Sequence, residues 1–203
     1  FMSFLAFIPA RSGSKDIKNK NLVKINYKEL IYWSILVAKQ CKFIKKIIVS
    51  TDSKKIAQIA IKYGAEVPFL RPKSISKNNS KTIDAVTHFL KNYDYFKFKN
   101  LVLLQPTSPF RSEFTLKKSI NIFNQNNLKS MVSVSPSKKN KNFLFKIQKN
   151  KIISPSFNLL NDKRRQDFNN YYYVNGAIYI NNIRQLLNYK KFVSKNSMPF
   201  IMD

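Results

Sequence analysis

Residues Phe4–Asn21 read FLAFIPARSGSKDIKNKN: a short apolar run, Phe4–Pro9, followed by a small, basic turn. An apolar run without polar alternation reads as a strand buried on both faces, the kind found in parallel sheets covered by helices. Four further runs have this character: Lys46–Ser50, Val67–Leu70, Leu101–Leu104 and Met131–Val134. Between them the period changes. Ile56, Ile59, Ala60 and Tyr63 fall at i, i+3, i+4 and i+7, one face of a helix. Ile83, Val86 and Leu90 make a second such face, and Leu116, Ile120 and Phe123 a third, with Ser112 as its N-cap. The stretch Leu30–Gln40 is apolar nearly all round and predicts a well-buried helix. Over the first 136 residues this alternation predicts a three-layer, doubly wound, mainly parallel α/β sheet.

After Pro136 the pattern changes. Residues 137–172 are polar, basic and rich in Asn, with only short apolar patches such as Phe143–Ile147. They read as an inserted excursion from the sheet. Its patches lack partners within the chain, so they predict a dimer contact. The sheet resumes at Ala177–Ile180. The expected organisation is therefore an α/β domain of residues 1–136 and 173–203, interrupted by a small dimerisation segment. Phe1 precedes Met2, so the sequence is read as a piece of a longer chain.

Hydrophobic residues make up 44% of the 203 and aromatics 14%, enough to build a core that a disordered chain could not. No apolar run approaches the roughly 20 residues of a membrane helix, and the N-terminus lacks the basic flank and cleavage site of a secretory signal. Cys41 is the only cysteine, so an intramolecular disulfide is impossible and a reducing cytoplasm is expected. The net charge of +27 raises a nucleic-acid-binding alternative. The lysines, however, are spread from Lys15 to Lys195 without forming a stripe, as in a chain with AT-rich codon usage. A diffuse positive field attracts small anions as well, and neither a nucleic-acid nor a membrane partner is expected.

The turn after the first strand lies at the strand's carboxyl end, where open α/β sheets bind ligands. A small Ser12–Gly13–Ser14 turn can aim successive backbone N–H groups at phosphate oxygens. Arg11 supplies a two-pronged cation and Lys20 a point charge. The glycine spacing fits neither a Walker A loop nor a dinucleotide fingerprint. A second polar loop, Gln105–Arg111, also follows a strand and is stiffened by Pro106 and Pro109.

Three further segments extend this reading: VSTDSKKIAQIAIKYGAEVPFLRP (Val49–Pro72), LLQPTSPFR (Leu103–Arg111) and RRQDFNNYYYVNGAIYI (Arg164–Ile180). With the first loop, and in register across essentially the whole chain, they resemble the acylneuraminate cytidylyltransferases, the CMP-sialic acid synthetases. Relatives in that family act on legionaminic or pseudaminic acid; the related CMP-Kdo synthetases, which have a different first loop, are the alternative. The resemblance implies a nucleotide-diphospho-sugar transferase-like fold and transfer of CMP from CTP to a nonulosonic acid. Arg11, Ser12, Gly13, Ser14, Lys20 and Asn21 would form the CTP loop, with Arg11 and Lys20 acting on the triphosphate. Arg71 and Thr82 would contact the cytidine. Gln105, Thr107, Ser108, Arg165, Asn175, Gly176 and Tyr179 would line the sugar side, where an arginine suits a carboxylate.

Such chemistry usually employs Mg²⁺, which takes carboxylate ligands. The chain has only 10 acidic residues and no D-x-D pair, so no metal ligand is assigned within it. The family's DID-type motif follows a strand resembling Pro199–Met202, so the ligands are expected beyond Asp203. Three departures from the family stand out: Asp16 where a glycine is common, Asn78 where an aspartate is common, and Tyr173 in place of an arginine. The last favours a bacterial sugar such as legionaminic acid over N-acetylneuraminic acid. His88 and Cys41 have no catalytic partner in the sequence, Asp52 reads as a helix N-cap, and Tyr171–Tyr173 read as core or dimer packing.

Overall fold

The computed structural model describes residues 3–13, 17, 19–137, 146–148, 151–153 and 172–202. The first apolar run forms β1 (Phe4–Pro9), and a short hairpin follows, β2 (Lys24–Ile25) and β3 (Lys28–Glu29). Helix α1 (Leu30–Gln40) leads to β4 (Ile44–Ser50), α2 (Lys54–Lys62), α3 (Thr82–Asn92), β5 (Asn100–Leu103) and α4 (Glu113–Gln125). The remaining elements are β6 (Ser130–Pro136), β7 (Lys146–Gln148), β8 (Lys151–Ile153), β9 (Tyr172–Asn182), α5 (Ile183–Tyr189) and β10 (Met198–Ile201).

Six strands make one sheet in the order β10-β6-β9-β5-β1-β4. β1 runs parallel to β4 on one side and to β5 on the other, while β9 pairs antiparallel with β5, placing Leu103 opposite Tyr179. The sheet is mixed and mainly parallel. Alternate residues of β1 explain why that strand carries no polar positions. Leu5 and Phe7 join Val86 and Phe89 of α3 and Leu186 of α5 in one cluster, whereas Phe4 meets Phe123 of α4 edge-on at 6.0 Å. Both faces are covered by helices, the three-layer arrangement expected from the sequence. Burying a side chain such as Phe4 or Phe7 fully contributes roughly 1.5–3 kcal/mol.

The helix ends follow local chemistry. Ser112 Oγ accepts from the Thr115 N–H at 3.1 Å, capping α4 as expected. At α2 the cap is Ser53, whose hydroxyl accepts from the Ile56 N–H at 3.4 Å. Asp52, expected to cap this helix, is engaged elsewhere. Val67–Leu70 is not a strand either. Glu66 alone bridges to Ile48 in parallel, and Pro68, without an N–H, cannot extend the ladder. Phe69 instead packs near Phe89, with ring centroids 6.3 Å apart. The β2–β3 hairpin went unpredicted because Asn26 and Tyr27 turn it with φ of 50° and 63°, a conformation unusual for tyrosine.

The chain divides into two compact units, Phe1–Ser133 with Gly176–Phe200, and Val134–Asn175 with Ile201–Asp203. In the second unit β7 and β8 pair antiparallel, Ile147 opposite Ile152. Also in this unit, the Met202 N–H donates to the Val134 carbonyl at 2.8 Å. Tyr172, Tyr173 and Val174 are exposed, so the two described tyrosines of the Tyr171–Tyr173 run are not core residues. Residues 138–145 and 154–171, which include Arg165 and Tyr171, lie outside the described residues, as do Ser14, Asp16 and Asp203. Among the described residues no helix is long and apolar enough to cross a membrane.

Candidate active site

Beyond Pro9 the chain leaves the sheet, but the Ala10 N–H still donates to the Ser50 carbonyl at 2.9 Å, which keeps the ends of β1 and β4 together. The following loop is pinned at both ends. Asp52, two residues past β4, accepts from the Ser12 N–H through Oδ1 and from the Ser12 hydroxyl through Oδ2, each at 2.7 Å. Asn21 is buried, and its Nδ2 donates to the Arg11 carbonyl at 2.8 Å. The Arg11 guanidinium donates through Nη1 to the Lys77 carbonyl at 2.6 Å and to Asn78 Oδ1 at 3.2 Å. The asparagine at position 78 thus serves as a neutral partner for that arginine.

Arg71 is only 6% exposed. Its Nε donates to Ser50 Oγ at 3.0 Å and its Nη2 to the Ser50 carbonyl at 2.5 Å, while its own N–H donates to the Thr51 carbonyl at 2.7 Å. Burial pulls its pKa down to about 10, against the charge of Asp52, which favours the cation, and with that of Arg11, which opposes it. The tripeptide Ser50–Asp52 therefore holds both Arg71 and the first loop.

A third wall comes from the loop after β5. Gln105 and Pro106 open it, and the Ser108 N–H donates back to the Gln105 carbonyl at 3.2 Å. Gly176 abuts this loop with φ of +77°, and a Cβ there would sit 2.9 Å from Gln105 Oε1. The positive φ strains any side chain at this position, and a Cβ would also push the Gln105 amide aside. Arg111, 5% exposed, closes the loop from beneath. Its Nη1 donates to the Ala177 carbonyl at 2.5 Å and, more distantly, to the Gln105 carbonyl at 3.4 Å; its Nη2 donates to Ser34 Oγ of α1 at 2.7 Å.

These walls enclose a cleft of about 340 Å³. Arg11, Gly13, Lys20 and Asn21 line it from the first loop, Arg71 from the segment after α2, Ser80–Thr82 from the start of α3, and Gln105–Thr107 from the loop after β5. Eight residues expected from the sequence are thus brought to one place: Arg11, Gly13, Lys20, Asn21, Arg71, Thr82, Gln105 and Thr107. Four cations, Arg11, Lys20, Arg71 and Lys81, face the cleft, and no carboxylate is among its described lining residues. The amino end of α3 adds the positive pole of its dipole. A larger hollow, about 530 Å³, lies between Pro72–Ile75 and the outer side of α3 and shares only Lys81 with the cleft.

Other expected residues lie elsewhere. Ser12 and Ser108 brace their loops, and Gly176 backs Gln105. Tyr179 packs in the core 5.7 Å from Phe192, where burial raises its phenol's pKa. Asn175 belongs to the second unit and donates to Ser135 Oγ at 2.9 Å. Among the described residues no group of three His, Cys, Asp or Glu side chains could hold a metal ion. Sequence reasoning missed Asp52 and Arg111 as parts of this framework. Arg111 closes the LLQPTSPFR segment, so its place in that run was the available signal; nothing local distinguishes Asp52 from a cap.

The family described as Cytidylyltransferase matches residues 5–197. The chain belongs to the cytidylyltransferase family. It is 36% identical to a CMP-N,N'-diacetyllegionaminic acid synthase of Legionella pneumophila, over 100% of this chain and 88% of that protein. It is 34% identical to an N-acylneuraminate cytidylyltransferase of Escherichia coli, over 98% of this chain but 47% of that protein. In fold it resembles a CMP:2-keto-3-deoxy-manno-octonic acid synthetase complexed with CTP, with a TM-score of 0.73 at 14% identity, over 98% of this chain and 90% of the other. This cytidylyltransferase is thus a nucleotidyltransferase on a three-layer α/β framework.

Proposed function

We propose that the protein transfers CMP from CTP to the anomeric hydroxyl of a sialic-acid-like nonulosonic acid, releasing pyrophosphate. The observation that carries this reading is the cleft itself, where four cations and no described carboxylate face a space of about 340 Å³. Both substrates are anions. In the reaction the sugar oxygen bonds to the α-phosphorus, the bond from that phosphorus to the bridging β-oxygen breaks, and the hydroxyl proton is lost to solvent. Catalysis of this kind rests on in-line placement and charge neutralisation.

Arg11 and Lys20 would neutralise the triphosphate, held by the Ser12–Gly13–Ser14 turn and Asn21. Arg71 and Thr82 would contact the cytidine. Gln105 and Thr107 would form the sugar wall, with Ser108 bracing their loop and Gly176 backing Gln105. Mg²⁺ belongs to this reading as the ion that offsets triphosphate charge. The described residues do not assemble a site for it: both Asp52 oxygens are committed to Ser12, Asp84 accepts from the Lys81 N–H at 3.1 Å, and no described carboxylate lines the cleft. No step is assigned to the ion.

The favoured sugar is of the legionaminic type. Tyr173 in place of an arginine and the 36% identity to a diacetyllegionaminic acid synthase both support that choice. A homodimer built on residues 137–172 is part of the proposal, supported by the exposed Tyr172 at its end and by Tyr173 and Val174 just after it; sedimentation as a monomer at micromolar concentration would refute it. Cytoplasmic location follows from the reading of Cys41, which is buried and unpaired.

The test is pyrophosphate release by the full-length protein with Mg²⁺ and one sugar acid, comparing CTP with UTP and ATP. Release that depends on both CTP and the sugar acid is expected. Absence of pyrophosphate release with every nucleotide tested, together with tight, salt-sensitive binding of random duplex DNA, would replace this reading with nucleic-acid binding.

A further inference from the structure

Arg111 carries a charge that the described protein does not balance. It is 5% exposed, and its three hydrogen-bond acceptors are all neutral: two main-chain carbonyls, of Gln105 and Ala177, and the hydroxyl of Ser34. Its Nε is buried without a partner. No carboxylate pairs with it among the described residues; the two ion pairs found there are Lys46–Glu66 and Lys117–Glu113. A buried guanidinium normally acquires an acid, because removing a charge from water is costly unless it is paired. A neutral residue could close the loop with fewer penalties. The charge lies behind one wall of the cleft, since Nη1 donates at 3.4 Å to the carbonyl of Gln105, a residue that lines it.

We infer that Arg111 is a charge-positioning residue: its buried, unpaired guanidinium is the fixed counter-charge for the anionic groups of ligands bound along the Gln105–Thr107 wall. The described residues leave the charge uncompensated, and the ligand compensates it. A fixed charge in a site of low polarity acts over several ångströms and needs no reorganisation when the ligand arrives. The inference rests on the proposed cytidylyltransferase reading for the identity of those ligands. The anion could be the phosphate chain of CTP or the carboxylate of the sugar acid, and the test separates them. Burial draws the guanidinium pKa down to about 10, so it remains a cation at neutral pH.

The experiment compares full-length wild type with Arg111→Gln, Arg111→Met, Arg111→Lys and Ser34→Ala, using two ligand pairs. One pair is CTP and cytidine, measured by calorimetry. The other is N,N'-diacetyllegionaminic acid and its carboxamide, measured as substrate KM and as inhibition constant. Neutralising Arg111 is expected to weaken the charged member of at least one pair by 10-fold or more beyond its neutral partner. An effect confined to the first pair assigns the phosphates, and one confined to the second assigns the carboxylate. Arg111→Lys should retain most of the difference, and Ser34→Ala, which removes a contact but no charge, all of it. Equal losses for both members of both pairs would make Arg111 a structural staple and overturn the inference. So would failure of both neutral variants to fold, because the charge would then serve stability. If wild type binds no sugar acid, the functional reading fails while the CTP and cytidine pair still decides the role of Arg111.

Discussion

Arg71 and Arg111 are both buried guanidiniums with pKa values drawn down to about 10 by burial, yet they sit in different company. Arg71 lines the cleft, donates twice to Ser50 and feels the favourable charge of Asp52. Arg111 lies behind the loop after β5 and meets only neutral oxygens. The wall that Arg71 lines therefore carries its own acid, and that acid also orders the first loop through Ser12. Among the described residues the opposite wall carries none. An anion site can be made by lining it with cations or by burying one behind a loop, and on the proposed reading this protein uses both devices.

The most severe test of the contrast is Arg71→Ala, which removes a cation lining the cleft and the donor to Ser50 Oγ, while the Ser50 carbonyl keeps the Ala10 N–H. It should weaken CTP binding by about 3 kcal/mol, roughly 150-fold, since hydrogen bonds to charged groups contribute about 1.5–3 kcal/mol. Calorimetry showing less than a threefold loss in a folded variant would remove Arg71 from the site. Lys20→Ala should cost CTP about 2 kcal/mol by the same reasoning, and the loss should shrink at high salt because Lys20 is partly exposed. A loss independent of salt would mean that Lys20 acts through loop structure.

Gly176→Ala sharpens the other side of the comparison. The added methyl would press Gln105 Oε1 at 2.9 Å and strain a backbone at φ +77°. KM for the sugar acid should rise about 10-fold, corresponding to roughly 1.4 kcal/mol, while CTP affinity stays within twofold. Equal effects on both substrates would show that Gln105 does not divide the cleft into two walls.

The smallest effect lies away from the cleft. Tyr63 donates to Glu29 Oε2 at 2.5 Å, which holds the Glu29 carboxyl below its usual range and pushes the Tyr63 phenol up to about 12. Tyr63→Phe should cost about 1 kcal/mol of stability at neutral pH. The lowered carboxyl contributes above its unfolded pKa, about 4.3, and the raised phenol contributes below its own, about 10. The difference from wild type should therefore narrow as pH falls through the folded Glu29 value, or rises from about 10 towards 12. Denaturant unfolding at pH 3, 7 and 11 measures this, and a constant gap would mean that the hydrogen bond is not its source.

Much of this arrangement was legible in the chain. The period of the apolar residues marked β1, the bounds of α1 and the Ser112 cap, because those features depend on local spacing alone. The first loop, Gln105 and Thr107 were legible because each follows a buried strand whose carboxyl end points to one edge of the sheet, whereas Arg71 was reached only through the family resemblance, since the run before it is neither a strand nor buried. What failed depended on distant partners. Pro68 ended a strand that composition favoured at Val67–Leu70. Asp52 looked like a cap until Ser12, forty residues away, occupied both its oxygens. Tyr179 had the right neighbours in sequence, but the register of β9 turned it towards Phe192.

The most direct test of the central claim is the identity of the product. The full-length protein is incubated with CTP, Mg²⁺ and N,N'-diacetyllegionaminic acid, and the mixture is followed by phosphorus NMR and mass spectrometry. The account predicts one CMP-linked sugar acid for each pyrophosphate released, with N-acetylneuraminic acid turned over more slowly in parallel. CTP left intact with all nonulosonic acids, or a nucleotide product that lacks the sugar, would contradict it.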